Sequence, residues 1–396
     1  MASRFSVGTP ADDAEVAAYS ESVKQVYNAT NDANRAEWIR RNTPANLRVV
    51  RDGSAIVGGL VSIPMGQFYG GRSVPMVGVA AVAVLPEHRG SGAGGALMNA
   101  YVAEMRDAGF PISTLYPATQ PLYRNAGYER AGGEYRIEVE ASRLDGGDRE
   151  LAVRPAKPED ELVLEECYRR RARLSSGNLD RNAYIWSRIR SPISDRVVSY
   201  VVEGPSGVEG YLRFVTQETG SDAPFKLWCS DVVALTPAAA RRIVGFFADH
   251  WSMTGQIAWR GSPSDPLLGV RREPVPGLVK FWNVWMLRIL DVATSMTARG
   301  WAPGLAGEVH LDITADEVLP ENAGRWIVRV ADGRAEAERG GRGTLRTDIR
   351  GLAAMYTGFH APADLRAAGF VEADDATLVS ATALFAGPHP WMADHF

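Results

Sequence analysis

The chain reads as an α/β (α+β) protein of more than one domain, and three features predict it. A hydrophobic strand, Val82-Ala83-Val84-Leu85, ends at Pro86 and passes through a glycine-dense turn into a helix carrying Leu97, Met98, Val102 and Met105. A short strand followed by an acid-capped amphipathic helix occurs twice, first at Phe5-Ser6-Val7 with Asp12-Asp13-Ala14-Glu15-Val16. The echo is Leu151-Ala152-Val153 with Glu159-Asp160-Glu161-Leu162. Beyond residue 290, strand-like runs give way to helices of small residues. The length, 396 residues, suits two or three domains.

In order, residues 4–7 predict a strand and Asp12 and Asp13 cap a helix to about Tyr27. A short helix follows at Ala36 to Arg40. Leu47 to Arg51 and Ala55 to Ile63 form a hairpin about Asp52-Gly53. Val74 to Val84 is a long strand, and the helix after the glycine turn stops at Gly109. Pro111 to Leu115 and Tyr135 to Val139 are strands, and Gly146-Gly147-Asp148 is a linker. The second region has strands at Val197–Glu203, Gly210–Val215 and Lys226–Ala234, then a helix from Pro237. Its Leu235-Thr236-Pro237-Ala238-Ala239-Ala240 stands where the first region has its glycines, so it is a degenerate copy. The third region runs from Trp282 to Leu290 into a helix ending at Arg299. Strands follow at 306–313, 325–330 and 344–349, with a hairpin at Asp332-Gly333. Helices cover 350–356, 362–368 and 374–385.

Composition excludes several functions. Apolar residues at 45% and charged residues at 23% are the proportions of an ordinary folded protein of the cytosol. A net charge of −4 does not suit a nucleic-acid partner, and Arg169-Arg170-Arg171-Ala172-Arg173 reads as a solvated helix face. Two cysteines, Cys167 and Cys229, give no disulfide framework. The histidines lack metal-ligand spacing, so no metal is expected. Met1 to Pro10 has no hydrophobic leader core and no apolar stretch spans a membrane, which leads to an expected cytoplasmic location.

The turn Arg89-Gly90-Ser91-Gly92-Ala93-Gly94-Gly95 carries the chemistry. Glycine lets the backbone press against an anion. The first amides of a helix lack internal partners, and the dipole there favours negative charge. Arg89 adds a forked donor for phosphate. The parts make a diphosphate cradle. A Walker A loop needs Gly-Lys-Ser/Thr, and there is no lysine. A Rossmann turn reads G-x-G-x-x-G, whereas the spacing from Gly90 is G-x-G-x-G-G, and no acidic residue ends a second strand. Downstream lies a second motif, Leu122-Tyr123-Arg124-Asn125-Ala126-Gly127-Tyr128.

Together these motifs resemble the GNAT acetyltransferases. Arg89 to Gly94 matches the acetyl-CoA loop R/Q-x-x-G-x-G/A, and residues 122–128 resemble the aromatic-Tyr-x-x-x-Gly-aromatic signature. Over nearly its full length the chain is similar to the Eis family of bacterial N-acetyltransferases. That family joins an active GNAT domain, a degenerate GNAT domain and a sterol-carrier-like α+β domain. Further matches are Trp285-Met286-Leu287-Arg288-Ile289-Leu290-Asp291-Val292, Ala298-Arg299-Gly300, Leu352-Ala353-Ala354-Met355-Tyr356-Thr357-Gly358 and the terminal Phe396. The domains implied are 1–148, 149–290 and 291–396.

The resemblance implies a mechanism. Acetyl-CoA is the co-substrate, and the protein supplies position and electrostatics. Backbone groups of Val82, Ala83 and Val84 would pair with the pantetheine arm, and an amide there would polarise the thioester carbonyl and hold the tetrahedral oxyanion. Arg89, Gly90, Ser91, Gly92, Ala93, Gly94 and Gly95 would hold the diphosphate. Ala118 and Thr119 would lie near the acyl end. Tyr123, with an ordinary pKa of about 10, would give a proton to the leaving thiolate. The α-carboxylate of Phe396 would take the amine proton, directly or through a water, with Trp391-Met392 gripping the tail; His395 and Asp394 are alternative bases. Asn28 and Trp38 would line the amine pocket. Asn28 and His395 stand where the family has acids, which weakens attraction for polycations. The implied substrates are aminoglycosides acetylated at more than one position, by a homohexamer built as a trimer of dimers. Protein lysines are an alternative acceptor, and a non-catalytic lipid-binding or scaffold role is an alternative of another class.

Overall fold

The computed structural model describes residues 4–28, 41–144, 149–192, 196–220, 225–271 and 278–396. The helix expected at Ala36 to Arg40, Trp38 within it, and the Gly146-Gly147-Asp148 linker lie outside the described residues. The chain divides into two compact units. One is Met1–Gly132 with Val284–Gly387 and Phe396; the other is Gly133–Asn283 with Pro388–His395.

In the first unit, β1 (Phe5–Gly8) leads to α1 (Asp13–Tyr27). Asp12 caps α1 by accepting the Glu15 amide at 3.0 Å. β2 (Leu47–Asp52) and β3 (Ala55–Tyr69) form the expected hairpin, turned at Gly53 with φ +62°. β4 (Arg72–Val84) returns antiparallel to β3. α2 (Ala93–Asp107) buries Leu97, Met98, Tyr101, Val102 and Met105 on one face, the three-to-four spacing of an amphipathic helix. This helical crossover lets β5 (Ile112–Leu115) pair parallel to β4. α3 (Gln120–Asn125) and the start of β6 (Glu129–Glu140) follow.

The second unit repeats the plan. It contains β7 (Ala152–Pro155), α4 (Glu161–Ala172), α5 (Ala183–Arg190), β8 (Val198–Gly204) and β9 (Gly207–Glu218). β10 (Phe225–Ala234), α6 (Pro237–Ala248) and β11 (Thr254–Arg260) complete it. Its strands run in the order β7-β8-β9-β10-β11-β6. As in the first unit's larger sheet, one parallel pair, β10 with β11, is joined through a helix and the other pairs are antiparallel. Here no cradle forms. Thr236 accepts the Ala239 amide at 3.1 Å and Pro237 fills the first turn, so the helix start is capped by its own chain. Ala239 and Ala240 are buried in the core with Ile243, Phe247 and Trp259.

β12 (Val279–Ile289) is a strand over the run expected from Trp282 to Leu290. Its residues Met286–Ile289 pair antiparallel with β5, so the first unit's sheet runs β1-β2-β3-β4-β5-β12. α7 (Val292–Ala298) precedes a five-stranded sheet. It is built from β13 (Gly307–Ile313), β14 (Gly324–Ala331), β15 (Arg334–Arg339), β16 (Leu345–Thr347) and β17 (Val371–Glu372) in the order β15-β14-β13-β16-β17. α8 (Ile349–Tyr356), α9 (Pro362–Ala367) and α10 (Asp375–Phe385) pack with it. The strand expected at 344–349 is shorter, because Asp348 caps α8 by accepting the Gly351 amide at 2.8 Å. Sequence patterning did not distinguish β11, α5 or β15, which are short and mixed in polarity.

One buried ion pair braces the first unit. Arg288 of β12 donates to both oxygens of Asp316 at 2.6 and 2.7 Å, and both side chains are fully buried. Asp316 also accepts the Leu319 amide and the Asn322 side chain. Gly127 precedes β6 with φ +84°, and a Cβ there would lie 2.7 Å from the Arg288 guanidinium carbon. The glycine of the tyrosine motif is therefore required by packing against Arg288. No helix among the described residues is long and apolar enough to cross a membrane.

A buried acid in the second unit gives a stability test. Asp265 accepts the Leu267 amide at 2.9 Å, and burial raises its carboxyl from 3.8 to about 6 against the opposing pull of that amide. A raised acid favours folding most below its unfolded value and loses that contribution as pH rises through about 6. Asp265→Asn keeps the acceptor without the charge. In thermal unfolding from pH 4 to 8, the variant should gain on the wild type as pH rises toward and through 6 and then hold that gain, about 3 kcal/mol.

Candidate active site

β4 and β5 pair from Met76↔Ile112 to Val79↔Leu115 and then part. β5 ends at Leu115, while β4 continues to Val84. On that side the last five residues of β4 have no neighbouring strand among the described residues. Val82, Ala83 and Val84 lie there. On the other side β4 stays with β3, but the register slips between Gly59↔Ala83 and Val61↔Ala80. The extra residues form a bulge in which Ala81 is left-handed, with φ +48°. A non-glycine residue pays roughly 1–2 kcal/mol for that conformation, so its surroundings must hold it. Two tyrosines of α1 do so. The Tyr19 hydroxyl donates to the Ala81 carbonyl at 2.7 Å, and the Tyr27 hydroxyl to the Val82 carbonyl at 3.1 Å.

After Pro86 the chain makes a 3₁₀ turn, Pro86–His88, and enters the glycine loop. Gly90 and Gly92 have φ +77° and +94°, so both glycines are conformationally required. The Arg89 amide bonds the Pro86 carbonyl and the Ser91 amide the His88 carbonyl at 3.3 Å. The Ala93 amide makes a long 3.4 Å contact to Ser91 Oγ. The amides of Gly90, Gly92, Gly94 and Gly95 have no acceptor among the described residues. Gly92 is the N-cap of α2 and offers no side chain to satisfy them. A Cβ at Gly90 or Gly95 would meet nothing within 4 Å, whereas one at Gly94 would touch Leu122 and Val84. Gly90 and Gly95 thus border open space beside donors, and Gly94 lets α2 approach α3. Arg89 is exposed and forms no ion pair with a described residue. The loop fits a bound diphosphate: free amides, a helix dipole and a loose guanidinium.

Tyr123 lies on α3, 4% exposed, with its ring edge-on to Tyr128 at 6.2 Å between centroids. Tyr128 is committed to Ser113 at 2.8 Å, whereas the Tyr123 hydroxyl has no partner among the described residues. Burial raises the Tyr123 phenol well above its ordinary value, and Tyr27 and Tyr128 push it the same way. It therefore keeps its proton at neutral pH. Ala118 and Thr119 are exposed in the loop between β5 and α3. Asn28 is the exposed, left-handed C-cap of α1, directly after Tyr27.

The last residue of the sequence is packed rather than exposed. Phe396 is 8% exposed, and its ring meets Tyr116 edge-on at 5.9 Å. The ring rests on Gly78 of β4, where a Cβ would lie 2.7 Å from Phe396 Cε2. The glycine at 78 is a seat for the terminal ring, next to where β4 and β5 part. The two alternative bases are committed elsewhere, in the second unit. Asp394 accepts from the buried Arg181 at 3.0 Å, and Arg181 also pairs with Asp231 at 2.8 Å. His395 Nδ1 meets Glu134 at 3.1 Å. Burial opposes ionisation of Glu134, yet His395 and Arg260 together hold it down to about 2. Met392 is fully buried, and the Trp391 amide bonds the Ser176 carbonyl at 3.0 Å.

Sequence reasoning missed the tyrosine clamp, Tyr116 and Gly78. A glycine interrupting an apolar strand pattern was the available signal for a close approach at 78. Tyr19 and Tyr27 share one side of α1 by helical spacing, but nothing in spacing says what they would meet.

Comparisons with known proteins agree with this layout. Residues 9–131 and 177–289 each match an acetyltransferase (GNAT) domain, and residues 292–393 match a sterol carrier protein domain. The crystal structure of a GCN5-related N-acetyltransferase from Anabaena variabilis is 33% identical, covers 99% of this chain and 100% of its own, and superposes with a TM-score of 0.93. A GCN5-related N-acetyltransferase from Kribbella flavida is 30% identical over 99% of this chain and 98% of its own, with a TM-score of 0.88. N-acetyltransferase Eis of Mycobacterium tuberculosis is 26% identical over 84% of each chain.

The cradle can be tested without turnover. Gly95→Ala puts a methyl into the open space and improves helix propensity, by a few tenths to about 1 kcal/mol. The expected result is an unchanged or higher melting temperature with at least roughly tenfold weaker binding of coenzyme A by calorimetry, about 1.4 kcal/mol.

Proposed function

Because the chain belongs to the GCN5-related N-acetyltransferases, with the Eis-like succession of two GNAT domains and a sterol carrier protein domain, we propose that it acetylates amines of a small cationic substrate, aminoglycosides at more than one position. The chain is an acetyl-CoA-dependent N-acetyltransferase. The observation that supports the finer reading is the seating of Phe396 on Gly78 beside the parted strands.

The co-substrate supplies an activated acetyl thioester. In this reading the open edge of β4 at Val82 to Val84 binds the pantetheine arm as an added strand, and the Gly90–Gly95 amides with Arg89 hold the diphosphate. The Val82 carbonyl is already engaged by Tyr27, so pairing there falls to the neighbouring groups. Tyr123, proton-bearing and without a partner among the described residues, donates to the departing sulfur. The α-carboxylate of Phe396 takes the proton of the attacking ammonium. Its ordinary pKa is about 3.5, so it needs desolvation or a relaying water to serve as base. The burial of its ring supports the first. Asn28, at the end of α1, contributes a neutral contact to the amine pocket. The reading includes a cytoplasmic homohexamer, which light scattering tests by a mass of six chains.

Acetyl-CoA with a panel of aminoglycosides, polyamines and lysine peptides, followed by thiol release and mass spectrometry, tests the substrate class. Multiply acetylated aminoglycosides are expected; turnover confined to lysine peptides, or none with intact acetyl-CoA binding, overturns the reading. Tyr123→Phe should lower kcat by about 10²-fold or more with acetyl-CoA affinity preserved. Gly78→Val, or a residue added after Phe396, should displace the terminal ring and lower kcat comparably. Full activity in a chain extended past Phe396 would remove the carboxylate from the mechanism.

A further inference from the structure

The bulge in β4 poses a problem that the glycine loop does not. Ala81 is the one non-glycine left-handed residue among the described residues of the strand that carries the acyl end of the site. The slip in register takes its carbonyl out of the ladder with β3. A carbonyl left without a partner in a half-buried strand is destabilising, on top of the backbone strain. Tyr19 relieves the first cost. Its ring is fully buried against Gly59, where a Cβ would lie 2.8 Å from Tyr19 Cδ2, and its hydroxyl reaches Ala81 O at 2.7 Å. Tyr27 holds the next carbonyl, that of Val82.

A trans peptide is planar, and its carbonyl and amide point in opposite directions. Fixing Ala81 O toward Tyr19 therefore fixes the Val82 N–H away from Tyr19. Ala83 is back in register with Gly59 of β3. Val82 is thus the bulge residue whose amide direction depends on the tyrosine rather than on a neighbouring strand.

We propose that Tyr19, seconded by Tyr27, is a positioning residue for acetyl transfer: its hydroxyl locks the Ala81–Val82 peptide so that the Val82 amide is pre-aimed at the thioester carbonyl. The inference rests on the acetyl-transfer reading above. It makes α1 the element that both sets the polarising amide and, through Asn28, ends in the amine pocket. Neither tyrosine touches a reacting atom through its hydroxyl in this arrangement.

The test uses the full chain and acetyl-CoA labelled with ¹³C at the thioester carbonyl. Infrared difference spectra report polarisation of that carbonyl without an amine being present. In the wild type the bound band should lie below that of free acetyl-CoA. Tyr19→Phe keeps the ring on Gly59 and removes only the hydroxyl; its band should move back toward the free position. kcat should fall by roughly ten- to a hundredfold, with coenzyme A affinity unchanged. Tyr27→Phe, a half-exposed position, should show the same pattern more weakly, and serves if Tyr19→Phe does not fold. Adding Ala81→Gly to Tyr19→Phe should recover much of the loss, because glycine adopts the left-handed bulge without support. An unmoved carbonyl band in both single variants, or a loss confined to coenzyme A affinity, overturns the proposal. Failure of the acetyl-transfer reading shows separately, as a wild type that binds acetyl-CoA and turns over no amine.

Discussion

The site depends on two parallel strands that stop pairing at different points. β4 and β5 share only four registered positions, and β4 runs five residues further. A parallel pair needs a helical crossover, so the helix joining them starts where β4 ends. The strand edge and the helix N-terminus that lack partners among the described residues are therefore consecutive in the chain. Ligands of open α/β sheets bind at such places because the backbone itself supplies the donors. The bulge at Ala81, the seat at Gly78 and the helix carrying Tyr123 are local adjustments of that edge.

The second unit shows what happens when the same topology is kept without the ligand chemistry. Its parallel pair also ends early, at Cys229↔Trp259. Thr236 and Pro237 close the helix start there, and the strand beyond Cys229 carries Asp231, which faces Arg181. Arg181 lies 3.4 Å over the Tyr168 ring and pairs with Asp394, so the tail of the chain is held by a fully buried cation. Removing one partner of such a buried pair would leave the other charge buried and uncompensated. The two units share a topology and differ at one turn, where the second caps its own helix start.

The first unit was legible in the sequence because its signals are local. The Asp12 cap, the Asp52-Gly53 turn, Pro86 and the glycines at 90–95 each act within a few residues of where they stand. The degenerate copy was legible for the same reason, through Thr236-Pro237. The packing of the last residue came from resemblance, and its physical basis, the Gly78 surface, depends on a contact across more than three hundred residues of sequence. The bulge could not be read, because Ala81 carries no mark of a left-handed conformation and its stabilisers sit on α1. Asp394 and His395, open as bases in the sequence, are occupied by Arg181 and Glu134, partners that no spacing rule connects to them.

Amide hydrogen exchange with and without coenzyme A tests the central claim most directly. Peptides spanning residues 80–84 and 90–95 hold amides that lack strand or helix partners, and these should become strongly protected on binding, while those of the capped turn at 236–240 stay unchanged. Protection absent from both segments, or appearing instead at the turn of the second unit, would contradict the account.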